Sequence, residues 1–561
     1  MKTYQWLGAA LFASCLAMSC VFTTYAQRPH LYSKQEPIRL DFDMQTIPKP
    51  ATYETGYLWD FSNNTFLQPF TKLPSFGRKP VDAYNVNTLD EVPNSSWFTN
   101  RNGVRRMSTA EIKRGPNETD GPAPGPLTVV KGKTNGITPG FQIKDSRGDL
   151  YLLKFDPIGY LEMASAAEAI STRLFYAIGY NVPQNTIYRF RRDQLKLDPK
   201  ATFTDNLGKK RQMTEADVSA ILNLAAHYPN GEYRALASKF LSGKPVGNFK
   251  FAGVRDDDPN DIIPHEHRRD LRALRVFSAW LNHNDIRNGN NLDMFVKEDG
   301  REFIRHYLID FGSTLGSDTA FPNSNDVGYA HQVDFAEARK SLLTFGLYQP
   351  HWRSTENRVR FTSVGNFASD KFKPHQWKSN FPLEAFQNMT DRDAYWAAKI
   401  VASFTDEQIR AAVATGELSD PKAAEYLTQQ LIIRRDAIAR EYFTRNAALD
   451  DLQLKQTSNG WIINFTDLRM QFAGKNEETT YEYQLAAADD AKRVLASGKL
   501  NDPQLTLSSD LLRQIATAGS TDANRGVAQL KLKRSGEKKE MTAWLFYDDV
   551  RNQLRLVGLL N

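Results

Sequence analysis

Between Trp280 and Gly312 an apolar helical pattern passes into an Asn-rich polar loop and then a pair of short apolar segments. Apolar residues at helical spacing, Leu271, Leu274, Phe277 and Leu281, run directly into His283-Asn284-Asp285-Ile286-Arg287-Asn288-Gly289-Asn290-Asn291. Two short apolar segments follow, 292–296 and 303–309, separated by a polar turn at 297–300 and ending in Asp310-Phe311-Gly312. That pattern predicts a β-hairpin. A hairpin returns its end beside its start, so Asp310 is expected next to Asp285 and Asn290. Two carboxylates and an amide would then surround one metal and phosphate site.

Phosphoryl transfer needs such a set, because a divalent cation must bridge phosphate oxygens while a carboxylate orients the attacking hydroxyl. In that chemistry Asp285 is the base or orienter, Asn290 a metal ligand and Asp310 the principal metal ligand. Taken singly, an Asp-Phe-Gly tripeptide or an Asn-rich turn is most often only a solvated loop. The signal lies in the combination and its order.

Upstream, the segment 150–155 reads as an apolar strand with Lys154 in its middle, where a charge is costly unless it is paired or faces a cleft. The following stretch carries Ala164, Ile170, Leu174, Phe175 and Ile178 at helical spacing, with Glu168 at the edge of the stripe. Glu168 is the expected counter-ion of Lys154, and Glu162 is its rival for that position. A lysine held in this way can grip the α and β phosphates of a nucleotide. Gly136 and Gly140, in Gly132-Lys-Thr-Asn-Gly136-Ile-Thr-Pro-Gly140, are candidates for close backbone approach to those phosphates, although the spacing is not Gly-x-Gly-x-x-Gly.

The order Lys154, Glu168, Gly179 with Val182-Pro183, Asp285 with Asn290, and Ile309-Asp310-Phe311-Gly312 resembles the atypical kinases of the HipA and CotH type. It is more distantly similar to the secretory-pathway kinases of proteins and glycans. The resemblance spans about 127–316 and the helical region after it. It implies a bilobal kinase-like fold, a bound nucleotide (ATP or another) with Mg²⁺ or Mn²⁺, and transfer to a hydroxyl. Asn284 stands where ordinary protein kinases carry an arginine, so control by phosphorylation of an activation loop does not carry over.

The first residues predict a destination. Met1-Lys2, an apolar stretch from Trp6 to Phe22 and Thr24-Tyr25-Ala26 form an export signal with cleavage after Ala26. A rival processing site at Cys20, in Ala17-Met-Ser-Cys20, would tether the protein to a membrane through a lipid. Both cysteines, Cys15 and Cys20, lie in this leader, so the chain that begins at Gln27 has no thiol chemistry, disulfide or cysteine zinc site. A periplasmic or secreted location follows as an expectation. The composition, 41% hydrophobic and 24% charged, suits a folded chain. The net charge of +6 falls to +5 when Lys2 leaves, which is modest for 561 residues and gives no reason to invoke nucleic acid. The pair His265 and His267 lacks a further nitrogen or thiolate ligand nearby and reads as structural.

The expected fold class is α+β: a bilobal kinase-like fold with an irregular N-terminal extension and a C-terminal all-β, sandwich-like domain. The expected divisions are 1–26 (signal), 27–126 (aromatic-rich extension ending in Gly-Pro punctuation), 127–247 (first lobe with an insertion near 200–225), 248–446 (helical second lobe) and 447–561 (β-rich domain). Trp97 and Phe98 are expected to pack the extension onto the core. Thr405-Asp-Glu-Gln408 is a capping box and Asp420-Pro421 opens a long helix.

The function expected is an exported kinase-like phosphotransferase acting on a hydroxyl of a protein, glycan or lipid in the cell envelope or outside. Two alternatives share the same lobes: a catalytically inactive envelope-binding scaffold, and a nucleotidyltransferase that moves AMP. Space outside the inner membrane is poor in ATP, which leaves the donor open. No Gly-x-Ser-x-Gly elbow, His-Glu-x-x-His helix or P-loop is present.

Overall fold

A computed structural model describes residues 31–34, 42–53, 56–67, 80–132, 138–204, 209–350, 352, 358–472 and 479–561. The leader with Cys15 and Cys20, and Gly136, lie outside the described residues. The protein is α+β, with a large mixed sheet, a helical region and an antiparallel β region at the C-terminal end.

The first sheet is built from β1 (Leu127–Gly132), β2 (Gly140–Lys144), β3 (Leu150–Phe155), β4 (Asn185–Phe190), β5 (Leu195–Thr204), β6 (Lys210–Gln212) and β7 (Tyr233–Lys239). Their order is β4-β7-β3-β2-β1-β5-β6. The β1/β5 pair is parallel and the other pairs are antiparallel. The segment expected as an insertion is thus partly sheet, since β5 and β6 extend the edge before the helix Glu215–Leu222 begins. That helix starts at a capping box formed by Thr214 and Asp217, which satisfies backbone N–H groups the first turn leaves open.

The helix Met163–Ile178 lies beside this sheet and is buried at nearly every position. Its first turn is capped from outside by Asp156, which accepts from the N–H groups of Glu162 and Ser165 at 3.0 and 2.8 Å and from Ser165 Oγ at 2.6 Å. The same helix joins the main core, where it meets the helices Arg269–Leu281, Asp391–Ala402, Asp406–Ala414 and Pro421–Arg445. Thr405 and Gln408 form the capping box of the helix Asp406–Ala414, and Asp420 caps the helix Pro421–Arg445 with Pro421 at its first position.

The first sheet and the helical region are tied together by a buried arginine. Arg234, with no exposed surface, donates to Gly416 O, to Glu417 O at 3.0 Å and to Ser165 Oγ at 3.0 Å. Glu162, the rival helix glutamate, is used in the same seam. It accepts from Tyr228 Oη at 2.8 Å and from Ser419 N at 2.9 Å.

The strand β8 (Lys244–Gly247) leaves the first sheet and pairs with β9 (Asn291–Glu298), which pairs with β10 (Arg301–Leu308). Trp97 and Phe98, at 4% and 0% exposure, pack the N-terminal segment onto the core. Phe98 lies so close to Gly179 that a Cβ there would stand 2.2 Å from Phe98 Cζ. This segment is less irregular than expected, for it contains the helices Tyr57–Ser62 and Thr109–Arg114, the latter with a Ser108/Glu111 capping box.

At the C-terminal end, β11 (Leu449–Thr457), β12 (Gly460–Asp467) and β15 (Gln504–Ser508) form one sheet. β13 (Tyr481–Ala487), β14 (Asp490–Leu500), β16 (Val527–Arg534), β17 (Met541–Asp548) and β18 (Gln553–Leu560) form the other, in the order β14-β13-β16-β17-β18. Leu449, Ile463 and Leu507 from one sheet share a core with Leu485, Leu530 and Leu545 from the other. Asp450 fastens this unit to the helix Asp391–Ala402 through Tyr395 Oη at 2.8 Å and Lys399 Nζ at 2.9 Å. No helix among the described residues is long and apolar enough to cross a membrane.

Candidate active site

Lys154 sits on β3 opposite Gly140 of β2 and Leu236 of β7. Its Nζ donates to Glu168 Oε1 and Oε2 at 2.8 and 3.0 Å and to Asp310 Oδ1 at 2.9 Å. The Lys154 and Glu168 side chains are 15% and 4% exposed, whereas that of Asp310 is 49% exposed. Burial opposes a charge on Lys154, but the Asp310 and Glu168 carboxylates outweigh it and hold the amine above its ordinary range. The lysine is therefore cationic, fixed on its inner side and aimed at a carboxylate on its outer side.

The hairpin places Asp310. Across β9/β10, Asn291 is paired with Leu308, and the Ile309 N–H donates to Asn290 O at 3.2 Å. Asp310 then takes a left-handed backbone conformation, φ 62°, uncommon for a non-glycine residue and retained where the surroundings over-determine it. Those surroundings are the next residues. Phe311 is fully buried, its ring stacked on Phe175 at 4.9 Å and set against His283 at 5.7 Å. Thr314 Oγ1 lies 2.7 Å from Ser171 Oγ, and the Leu315 N–H donates to Leu281 O at 2.8 Å. Phe175 and Ser171 belong to the helix that carries Glu168, so the packing that seats Phe311 also sets Asp310 against Lys154.

The loop after the helix Arg269–Leu281 is organised around Asp285. Asn290 Nδ2 donates to Asp285 O at 2.7 Å and to Asp285 Oδ2 at 2.8 Å, and Arg287 Nε lies 3.2 Å from Asp285 Oδ1. Burial raises the Asp285 carboxyl; Arg287 and Asn290 pull it back down, and the charge of Asp310 pushes it up again. His283 is buried beneath, and burial lowers its imidazole to about 4, so it is neutral at physiological pH.

Of the residues singled out by sequence, Lys154, Glu168 and Asp310 are in direct contact. Asp285 and Asn290 are in direct contact with each other. Gly140 lies across the sheet from Lys154. His265 and His267 are structural: His265 bonds Asp261 Oδ2 at 2.8 Å, and His267 Nδ1 lies 2.7 Å from Arg272.

Two carboxylates near the loop escaped sequence reading. Asp318 is raised to about 6, first by burial and then by the charges of Asp285 and Asp326; its position eight residues after Asp310 was the only available clue. Asp60, from the N-terminal segment, bonds the loop directly, and no local pattern marks it.

A divalent cation fits the residues present. Asn290 spends its Nδ2 on Asp285, which turns its amide oxygen free of that contact, and Asp310 offers a half-exposed carboxylate; both are hard oxygen donors. Among the described residues no three His, Cys, Asp or Glu side chains form a metal-binding group. A cation held by Asn290 and Asp310 would complete its shell with phosphate and water oxygens, which is usual for Mg²⁺.

No family model and no curated protein matches the chain. Solved structures similar to parts of it include the Helicobacter pylori proinflammatory kinase CtkA, at 14% identity over 58% of this chain and 96% of that one, with a TM-score of 0.24. The Golgi casein kinase is similar at 10% identity over 68% and 95%, TM-score 0.24. The same kinase with Mn/ADP bound is similar at 12% identity over 64% and 96%, TM-score 0.24.

Proposed function

We propose that this protein is a metal-dependent, kinase-like phosphotransferase that moves a phosphoryl group from a nucleotide to a hydroxyl. The observation that carries the reading is the Lys154 amine held at 2.8 and 2.9 Å between a buried glutamate and Asp310, on the strand next to a glycine. A cation wedged in this way would grip the nucleotide's phosphates, with Gly140 letting them approach the backbone. A bound Mg²⁺ or Mn²⁺ would neutralise phosphate charge, and Asp310 and Asn290 are the residues to hold it.

Asp285 orients the acceptor hydroxyl and takes its proton as the new O–P bond forms and the bond to the departing nucleotide breaks. A carboxyl raised by burial is better suited to accept that proton than a solvated one. The leader expected at 1–26 puts this chemistry in the cell envelope or outside, with a protein, glycan or lipid hydroxyl as acceptor.

Thermal unfolding of the chain from Gln27 onward, with a panel of nucleotides and Mg²⁺ or Mn²⁺, tests the reading. A nucleotide at a hundred times its dissociation constant stabilises by about 2.7 kcal/mol. We expect a metal-dependent rise in Tm that Asp310→Ala abolishes. No rise with any nucleotide, in a folded protein, would refute the reading and favour a binding scaffold.

A further inference from the structure

The loop that carries Asp285 and Asn290 is held from the far end of the chain. Asp60 lies in the short helix Tyr57–Ser62, 228 residues before its partner Asn288. It is 1% exposed and accepts from Asn288 N at 3.1 Å, from Asn288 Nδ2 at 2.8 Å and from Asn64 Nδ2 at 2.5 Å. Burying a carboxylate is unfavourable unless hydrogen bonds replace its water, and here Asn288 supplies two of them. Burial pushes the Asp60 carboxyl up, whereas the Asn288 N–H and the nearby Arg287 charge draw it down.

Asn288 opens the single 3-10 turn Asn288–Asn290 that ends on the candidate metal ligand, and it directly follows Arg287, which contacts Asp285. The other end of the loop is held from a different place. The Asn380 N–H donates to Asn284 O at 2.8 Å, and Asn284 Nδ2 donates to Asn380 Oδ1 at 3.1 Å. Phe61, next to Asp60, packs its ring against Phe381, next to Asn380, at 6.3 Å between centroids. Asp60 and Asn380 thus hold the loop at Asn288 and at Asn284, and their chain neighbours Phe61 and Phe381 pack on each other. A buried carboxylate needs donors wherever it docks, and Asp60 takes two of them from the turn between Asp285 and Asn290.

We propose that Asp60 is a positioning residue of the active site, which pins Asn288 so that Arg287 meets Asp285 and Asn290 presents its oxygen to a divalent cation. The N-terminal segment around 56–64 is then part of the catalytic apparatus. This inference rests on the phosphotransferase reading for its metal arm only.

The test compares the full chain with Asp60→Ala, Asp60→Asn and a control, Phe66→Ala. The control disturbs the same segment, through rings 5.9 Å from Phe61 and 6.0 Å from Phe335. Hydrogen exchange of the unliganded proteins is the first readout. We expect the amides of Asn288 and Asn290 to exchange about tenfold faster in Asp60→Ala, with amides of the helix Arg269–Leu281 unchanged and Phe66→Ala like the parent. The second readout is the Mg²⁺ or Mn²⁺ concentration giving half of the nucleotide-induced rise in Tm. Losing a partner bonded directly to a metal ligand typically weakens metal affinity about 10- to 100-fold; Asp60 acts one step further out, through Asn288, and we expect a shift of about tenfold for Asp60→Ala and a smaller one for Asp60→Asn.

Unchanged exchange at Asn288 and Asn290, or an equal change in Phe66→Ala, overturns the positioning role. So does an unchanged metal requirement in a parent that binds nucleotide. Should the parent show no nucleotide-induced rise, the phosphotransferase reading falls, and the exchange rates alone decide whether Asp60 holds the loop.

Discussion

Lys154→Met removes the charge at the centre of the site while keeping most of the volume of the side-chain stem. The two contacts it breaks differ in environment. Glu168 is 4% exposed and loses a cation at 2.8 Å, and truncating one partner of a buried pair costs about 3–5 kcal/mol, because the other charge is left in a poor solvent. Asp310 is 49% exposed, and its share of the loss is only about 0–1 kcal/mol. The expected destabilisation in denaturant unfolding is therefore about 3–5 kcal/mol, nearly all of it owed to Glu168.

A second change tests that assignment. In the Lys154→Met background, Glu168→Gln replaces the stranded anion with a neutral amide, and we expect it to recover about 1–3 kcal/mol, although the same substitution is destabilising alone. The single-variant deficit should also shrink on acidification, since a buried carboxyl without its cation can take up a proton. A Lys154→Met protein within about 0.5 kcal/mol of the parent, or losses that simply add in the double variant, would refute the view that the lysine is held by a buried counter-ion.

Nucleotide-induced stabilisation should vanish in Asp310→Ala with little change in unliganded Tm, because a half-exposed carboxylate contributes little to folding; equal loss of both would point to a structural role. His283 is depressed to about 4 from an ordinary 6.5, so the stability it contributes is present above about pH 6.5 and is lost as the pH falls towards 4, by up to about 3 kcal/mol. Urea unfolding between pH 8 and 4 should show this slope, and it should flatten in His283→Leu. Gly179→Ala forces a Cβ to within 2.2 Å of Phe98 Cζ at a φ of 146° and should cost about 1–3 kcal/mol or more. Adding Phe98→Leu to that variant should restore part of the loss, measured by the same unfolding.

The features legible in the sequence were those whose signal is local. The capping boxes at Thr214 and Thr405 and the Asp420-Pro421 start are written within four residues, because a cap satisfies N–H groups in its own first turn. The β9/β10 hairpin shows as apolar alternation around a glycine turn. Strands without a buried face left no such trace: β14 is exposed along most of its length and reads as a polar stretch. The stretch near 200–225 reads as an insertion and not as sheet because β6 is exposed throughout and β5 is only partly covered.

The chemistry-bearing residues and their order were legible from the residues alone, since Lys154, Glu168, Asp285, Asn290 and Asp310 each sit at a spacing set by one strand, one helix or one hairpin. The partners contributed by distant segments came from packing. Asp156 caps a helix from the end of a strand, Arg234 joins the first sheet to Gly416, and Asp60 reaches Asn288 across 228 residues. Hydrogen bonds between distant segments depend on where packing brings two backbones together, and a single carboxylate in an aromatic-rich segment carries no periodicity to announce its partner.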